Sequence, residues 1–167
     1  CAEHNLVHEV LVINNAATPL KWDSEKVHVL HQKENIFVNP GWNLGAATAR
    51  GEYLAIVNDD VRFRDEALDH AAKILRRGWY SMVGPSRHCF NGAQQGRIGH
   101  RFASLHTSPF GTFMCLRREN YVPIPDDLLI WGGDDWLMLN QRRPLAELIN
   151  TTFETEMWLF TNEGVGS

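Results

Sequence analysis

The chain has 167 residues, of which 44% are hydrophobic and 22% charged, a composition typical of one globular domain with its own core. Its net charge of −4 argues against a nucleic-acid partner bound through a large basic surface. No run reaches the ~18 apolar residues that a membrane-spanning helix needs, so no transmembrane segment is predicted. The three cysteines favour a reducing compartment over a disulfide framework. We therefore expect a cytoplasmic protein, with peripheral attachment to a membrane left open.

The first half of the chain alternates apolar segments of strand length with one clear helix. This helix spans residues 65–77, where acidic residues begin it, basic residues and Gly78 end it, and apolar residues recur at helical spacing. Short apolar runs rich in β-branched residues predict strands at residues 9–13, 27–30, 53–57 and 80–83.

A further helix is predicted before the strand at 53–57. The sequence Asn39-Pro40-Gly41 is typical of a turn. We therefore expect Asn43 to cap a short helix that continues through Ala49 and is ended by Gly51.

The second half of the chain is less periodic. Residues 84–110 resemble a loop, and their arginines and histidines suggest either a solvated segment or a lid that meets a diphosphate or an acidic acceptor. Beyond the loop, the predicted elements are a strand at 111–116, a helical turn at 117–121, a helix at 134–142 and late strands at 145–149 and 157–160. Strands that alternate with helices predict an α/β fold.

Four polar clusters each follow a predicted strand or begin a predicted helix. Taken singly, each has a structural explanation as a turn, a helix cap, a solvated strand end or an N-terminal acidic pair. In open α/β sheets, however, ligands bind at the carboxyl ends of strands, and two adjacent carboxylates there favour a divalent cation that carries phosphates. The clusters are Asn14-Asn15, Asn43 with Gly45, Asn58-Asp59-Asp60, and Gly132-Gly133-Asp134-Asp135.

The order and spacing of these clusters resemble the family-two glycosyltransferases of the nucleotide-diphospho-sugar fold. Residues 9–15 are similar to the family's second strand, and residues 43–60 to its Asn-x-Gly helix and aspartate motif. Residues 111–114 are similar to the strand under its acceptor site, and Trp131-Gly-Gly-Asp-Asp135 to its acidic pair. The resemblance implies one domain over residues 1–167, with a Rossmann-like mixed sheet flanked by helices, the GT-A type.

The family's N-terminal strand and helix have no counterpart ahead of residue 9. A sheet without a central strand would leave backbone groups unpaired. We consider three explanations: the printed residues are part of a longer chain, which we favour, the strand lies elsewhere in the chain, or another chain supplies it.

The resemblance also implies a role for each cluster. Asp60 would bind a divalent metal, Mn²⁺ or Mg²⁺, and Asp135 would be the general base, with Asp134 as the second choice. On the acceptor side stand Trp131, Gly132 and Gly133. Asn14 and Asn15 would face the donor's base, and Asp59, with Asn58, would contact its ribose or share the metal's shell. Asn43 is also implied to bind the donor.

The function implied is that of a metal-dependent, inverting glycosyltransferase. It would move a sugar from a nucleotide-diphosphate sugar to a hydroxyl of a glycan or another acceptor. Two alternatives stay open: a nucleotidyltransferase on a related sheet, although no glycine-rich, lysine-bearing loop is visible, and a non-catalytic sugar- or nucleotide-binding module. The nucleotide, the sugar, the acceptor and the oligomeric state are not predicted.

Overall fold

The structure is a computed structural model that describes residues 1–104 and 109–156. The chain divides into two compact units: unit 1 comprises Cys1–Leu54 and Arg117–Asn140, and unit 2 comprises Ala55–Leu116 and Gln141–Ser167. In chain order the elements are β1 (Val10–Asn14), β2 (Val27–His31), α1 (Val38–Thr48), β3 (Tyr53–Val57), β4 (Val61–Phe63), α2 (Glu66–Arg77), β5 (Met82–Pro85), β6 (Gly99–Phe102), β7 (Phe113–Arg117), α3 (Gly133–Leu139), β8 (Leu145–Ile149) and β9 (Phe153–Thr155).

Unit 1 is built on a parallel pair of strands covered by a helix. β1 and β2 pair in register, with Val10 opposite Val27. α1 packs against β1, and a side chain at Gly41 would lie 3.6 Å from Cγ2 of Ile13. The small residue at 41 therefore lets the helix approach the strand closely.

Unit 2 contains most of a five-stranded mixed sheet with the order β3-β7-β5-β8-β6. β5 pairs with β8 in parallel and with β7 antiparallel, while β6 pairs with β8 antiparallel. β3 and β7 each have residues in both units. A separate antiparallel pair, β4 with β9, places Val61 opposite Thr155.

Aromatic and aliphatic side chains form the core of unit 2. The Phe113 ring contacts the rings of Phe63 and Phe153, with centroid distances of 4.9 and 5.0 Å. α2 contributes its predicted apolar stripe, all of it buried: Ala67, Leu68, Ala71, Ile74 and Leu75. The helix ends at Gly78, whose φ of 75° is accessible to glycine at little cost.

The three cysteines are free thiols, and two of them lie inside unit 2. Cys89 donates its S–H to the carbonyl of Leu148 at 3.2 Å. Burial raises the pKa of Cys89, and it raises the pKa of Cys115 on β7 to about 12. Both thiols therefore stay protonated near neutral pH.

The structure confirms the α/β class, the helix at 65–77 and the strands at 53–57 and 145–149. The turn predicted at Asn39-Pro40-Gly41 is wrong, because these residues form the first turn of α1. Proline suits that position, since its fixed φ matches the helix and no N–H is required there. Asn43 consequently lies inside α1 and does not cap it.

The segment predicted as a loop at 84–110 contains a strand that the pattern did not reveal. β6 carries Arg101, whose Nε donates to Oε1 of buried Glu147 at 2.6 Å. The lid hypothesis is therefore wrong for Arg101, which belongs to the sheet. The late strand predicted at 157–160 lies outside the described residues. Within residues 1–104 and 109–156, no helix has the length and apolar character required to cross a bilayer.

Alanine substitutions at two glycines should change the stability of the protein in opposite directions. A Cβ at Gly84 on β5 would overlap the ring of buried Phe110, so Gly84→Ala should lower the free energy of unfolding by about 1–3 kcal/mol. A Cβ at Gly45 in α1 meets nothing within 4 Å, so Gly45→Ala should raise it by roughly 0.5–1 kcal/mol through helix propensity. Urea unfolding of both variants checks the signs. A stabilising Gly84→Ala would contradict the described packing.

Candidate functional site

Two asparagines one turn apart on α1 hold the irregular segment 121–132 of unit 1. Positions four apart share a helix face, and from that face both Asn39 and Asn43 reach this segment. Oδ1 of Asn43 accepts the Tyr121 hydroxyl at 2.7 Å and the Ile124 N–H at 2.9 Å. Its Nδ2 donates to the Ile124 carbonyl at 2.9 Å. Burial raises the pKa of Tyr121, which keeps its hydroxyl available as a donor.

Asn39 makes the corresponding contacts one turn earlier and is fully buried. Its Nδ2 donates to the carbonyls of Leu128 at 2.9 Å and Trp131 at 3.3 Å. Its backbone N–H donates to the carbonyl of Leu129 at 3.0 Å. One residue thus binds three backbone carbonyls of the segment that leads into α3.

The acidic pair occupies the first turn of α3. Gly132 is the N-cap residue, with a φ of 74°, and Gly133 is buried. Asp134 is half-buried and Asp135 is exposed, as their positions in the turn dictate. The helix dipole favours both charges there. Because successive helical side chains point about 100° apart, only one of the two carboxylates can face a given reacting group.

The asparagines at the end of β1 shape the loops that follow. Oδ1 of Asn14 accepts the Ala16 N–H at 3.0 Å, and its Nδ2 donates to the Thr18 carbonyl at 3.0 Å. Oδ1 of Asn15 accepts the Ile36 N–H at 3.2 Å, one residue before Phe37, which adopts a φ of 65° at the start of α1. A left-handed φ is uncommon for a bulky residue, so Asn15 stabilises a strained entry to the helix.

In unit 2, the cluster Asn58-Asp59-Asp60 forms the turn between β3 and β4. The Val61 N–H donates to the Asn58 carbonyl at 3.3 Å and closes this turn. The Asn58 N–H donates to the Thr112 carbonyl at 3.1 Å. Oδ2 of Asp60 accepts the Thr155 hydroxyl at 2.6 Å. Asp59 is exposed. The carboxylate of Asp60 is therefore held in one orientation by the neighbouring strand β9.

The donor atoms of this turn fit a hard divalent cation with few protein ligands. Carboxylate and amide oxygens suit Mg²⁺ and Mn²⁺. No group of three or more His, Cys, Asp or Glu side chains able to hold a metal occurs among residues 1–104 and 109–156. Such a turn therefore suits an ion that keeps several waters and shares phosphate oxygens with a ligand.

The polar clusters are visible in the sequence, but two residues that act on them are not. Asn39 was assigned to a turn, although Asn39-Pro-Gly41 and Asn43-Leu-Gly45 repeat one Asn-x-Gly spacing four residues apart. That repeat was the available signal. Thr155, which binds Asp60, lies in a short strand far along the chain and carried no local signal.

Comparison with known proteins identifies a sequence family. The sequence profile described as Glycosyl transferase family 2 matches residues 7–128. No curated protein sequence matches this chain significantly.

Several solved structures share the fold. TarS 1-349 of S. aureus has 17% identity and a TM-score of 0.66, covering 96% of this chain and 55% of that chain. Its complex with UDP has 18% identity and a TM-score of 0.61, covering 87% and 49%. GalNAc-T7 with UDP, GalNAc and Mn²⁺ has 10% identity and a TM-score of 0.62, covering 89% and 37%. These likenesses confirm the predicted GT-A type of fold, and the chain spans about half the length of the TarS structures.

The contacts of Asn43 predict its contribution to stability. Asn43→Ala would leave the Tyr121 hydroxyl and both backbone groups of Ile124 without their partner, at a cost of about 2–4 kcal/mol in the free energy of unfolding. Asn43→Asp keeps the accepting oxygen and should cost less. Urea unfolding measures both, and an Asn43→Ala variant as stable as the wild type would show that these hydrogen bonds are not formed in solution.

Proposed function

This chain belongs to glycosyl transferase family 2, and from that membership we propose that it transfers a sugar from a nucleotide-diphosphate sugar to an acceptor hydroxyl. We further propose that the reaction depends on a divalent metal and inverts the anomeric centre. The observation that carries the proposal is the family match over residues 7–128, which includes both asparagines of α1 and the acidic turn at the end of β3.

On the donor side, we assign Asp60 to a divalent metal, with Asn58 and Asp59 beside it in the same turn. Mn²⁺ or Mg²⁺ held there would neutralise the charge that the nucleotide diphosphate gains as the glycosidic bond breaks. The hydrogen bond from Thr155 supports this assignment, because it orients the Asp60 carboxylate. Outer partners of this kind tune metal ligands.

Asn14 and Asn15 are proposed to support the nucleotide. They shape the loops after β1, and we expect backbone and side-chain groups of those loops to meet the base. The family resemblance implies that Asn43 contacts the donor, but its three hydrogen bonds to Tyr121 and Ile124 favour a role in positioning the segment 121–124. UDP is the first nucleotide to test, because the similar structures carry it.

On the acceptor side, we assign Asp135 as the general base. The acceptor hydroxyl must lose its proton as its oxygen attacks the anomeric carbon, and an exposed carboxylate at a helix N-terminus can receive it. Direct attack with departure of the nucleotide diphosphate inverts that centre. Trp131 is 82% exposed and offers a flat surface to a sugar ring. A cytoplasmic location remains part of the proposal and rests on the free cysteines.

Donor binding tests the metal assignment. UDP with Mn²⁺ should raise the melting temperature of the full chain more than UDP alone, since a ligand at 100 times its dissociation constant stabilises the folded state by about 2.7 kcal/mol. Asp60→Asn should abolish the metal-dependent part. Asp69→Asn, at an exposed position on α2, serves as the matched control and should keep it. An unchanged metal effect in Asp60→Asn would remove Asp60 from the metal site.

Transfer of a labelled sugar tests the reaction itself. Asp135→Asn should lower kcat by about 10²–10⁴-fold while nucleotide binding persists, because only proton transfer is lost. Asp126→Asn, another exposed aspartate of unit 1, should behave as the wild type. Release of inorganic pyrophosphate with a new sugar nucleotide would identify a nucleotidyltransferase. Nucleotide binding without turnover by any acceptor would identify a binding module.

A further inference from the structure

The residues directly before the acidic pair are held by less apolar packing than the start of their segment, where Ile124 is 2% exposed. Residues 121–132 contain no helix or strand. Leu129, Ile130 and Trp131 are 42%, 44% and 82% exposed. Since much of their apolar surface stays exposed, hydrophobic contacts hold the backbone less firmly here than at Ile124.

Hydrogen bonds from Asn39 take the place of that packing. Nδ2 binds the carbonyls of Leu128 and Trp131, and the Asn39 N–H binds the carbonyl between them, that of Leu129. The residue is fully buried, so its own end of these bonds is shielded from water. The three contacts span four consecutive residues and end directly before Gly132.

The oxygen atom of the Asn39 amide restricts which residue can occupy the neighbouring position in the turn into α3. Oδ1 is buried and accepts no hydrogen bond from the residues that the structure describes. It abuts Gly133, where a Cβ would overlap it. Gly132 beside it has a φ of 74°, a conformation that side chains rarely adopt. The turn into α3 is therefore defined on one side by the Asn39 amide and on the other by two glycines.

We propose that Asn39 is a positioning residue for sugar transfer: its amide fixes residues 128–133 and so sets the direction in which Asp134 and Asp135 leave the first turn of α3. The inference rests on the proposed function. Asn39 acts through the backbone of this turn and touches no reacting group. A displacement of about 1 Å at a catalytic carboxylate is enough to lower a rate up to 100-fold.

The test compares Asn39→Asp and Asn39→Leu with wild type in the full chain. Both variants keep the shape of the side chain and remove its N–H donors, and the uncharged Leu variant guards against loss of folding by the charged one. We expect kcat to fall about 10- to 100-fold. The KM for the donor should change by less than about twofold, because only the placement of the base is altered.

Hydrogen exchange provides a reading that does not depend on activity. Amides of residues 128–135 should exchange faster in both variants, whereas those of β1 and β2 should not change. Gly133→Ala, which presses on the same amide from the other side, should reproduce the loss of kcat. The matched control is Asn150→Asp, which removes an amide donor to the Arg97 carbonyl outside this segment and should leave kcat unchanged.

Two results would overturn the inference. One is a kcat within about twofold of wild type in both Asn39 variants. The other is a parallel loss of kcat and nucleotide binding that follows the folded fraction, which would make Asn39 merely structural. A wild-type chain that binds nucleotide but transfers no sugar would instead refute the proposed function, and the exchange measurement would still show whether Asn39 holds the turn.

Discussion

A backbone that leaves regular secondary structure and is not exposed to water must find other partners for its carbonyls and N–H groups. In unit 1 this constraint is met by asparagine side chains. The side chains of Asn39 and Asn43 project from one face of α1 and bind four backbone groups between Ile124 and Trp131, and the backbone N–H of Asn39 binds a fifth. An amide suits the task because it donates and accepts at once. The acidic pair at the start of α3 is thereby connected to α1, a helix that lies far away in sequence.

In unit 2, packing of aromatic side chains takes the place of the asparagine hydrogen bonds. The rings of Phe63, Phe113 and Phe153 join the ends of β4, β7 and β9, and this contact brings Thr155 to Asp60. A carboxylate at the tip of a turn would otherwise sample several rotamers. The aromatic core thus contributes to the proposed metal site without touching it. In both units the residues with proposed chemical roles are held by neighbours to which no such role is assigned.

Features that depend on neighbouring residues can be predicted from the sequence, whereas contacts between residues far apart in the chain cannot. An acidic turn after a buried strand, or an acidic pair opening a helix, is visible within ten residues. The role of Asn39 depends on Leu128, 89 positions further along, so no local pattern contains it. β6 went unrecognised for a similar reason: its pairing with β8 and the Arg101–Glu147 ion pair lie outside any short window. Asn-Pro-Gly usually marks a turn, and close packing on β1 overrode that preference.

The two buried thiols of unit 2 can be used to measure local opening of the structure. Cys89, in the turn after β5, is hydrogen-bonded to Leu148, and Cys115 is buried on β7, so an alkylating reagent can reach either sulfur only when the structure around it opens. Their raised pKa values suppress the reactive thiolate further while the unit is closed. Modification rates at these positions would therefore report local opening at the turn after β5 and at β7 separately, while exposed Cys1 calibrates the reagent.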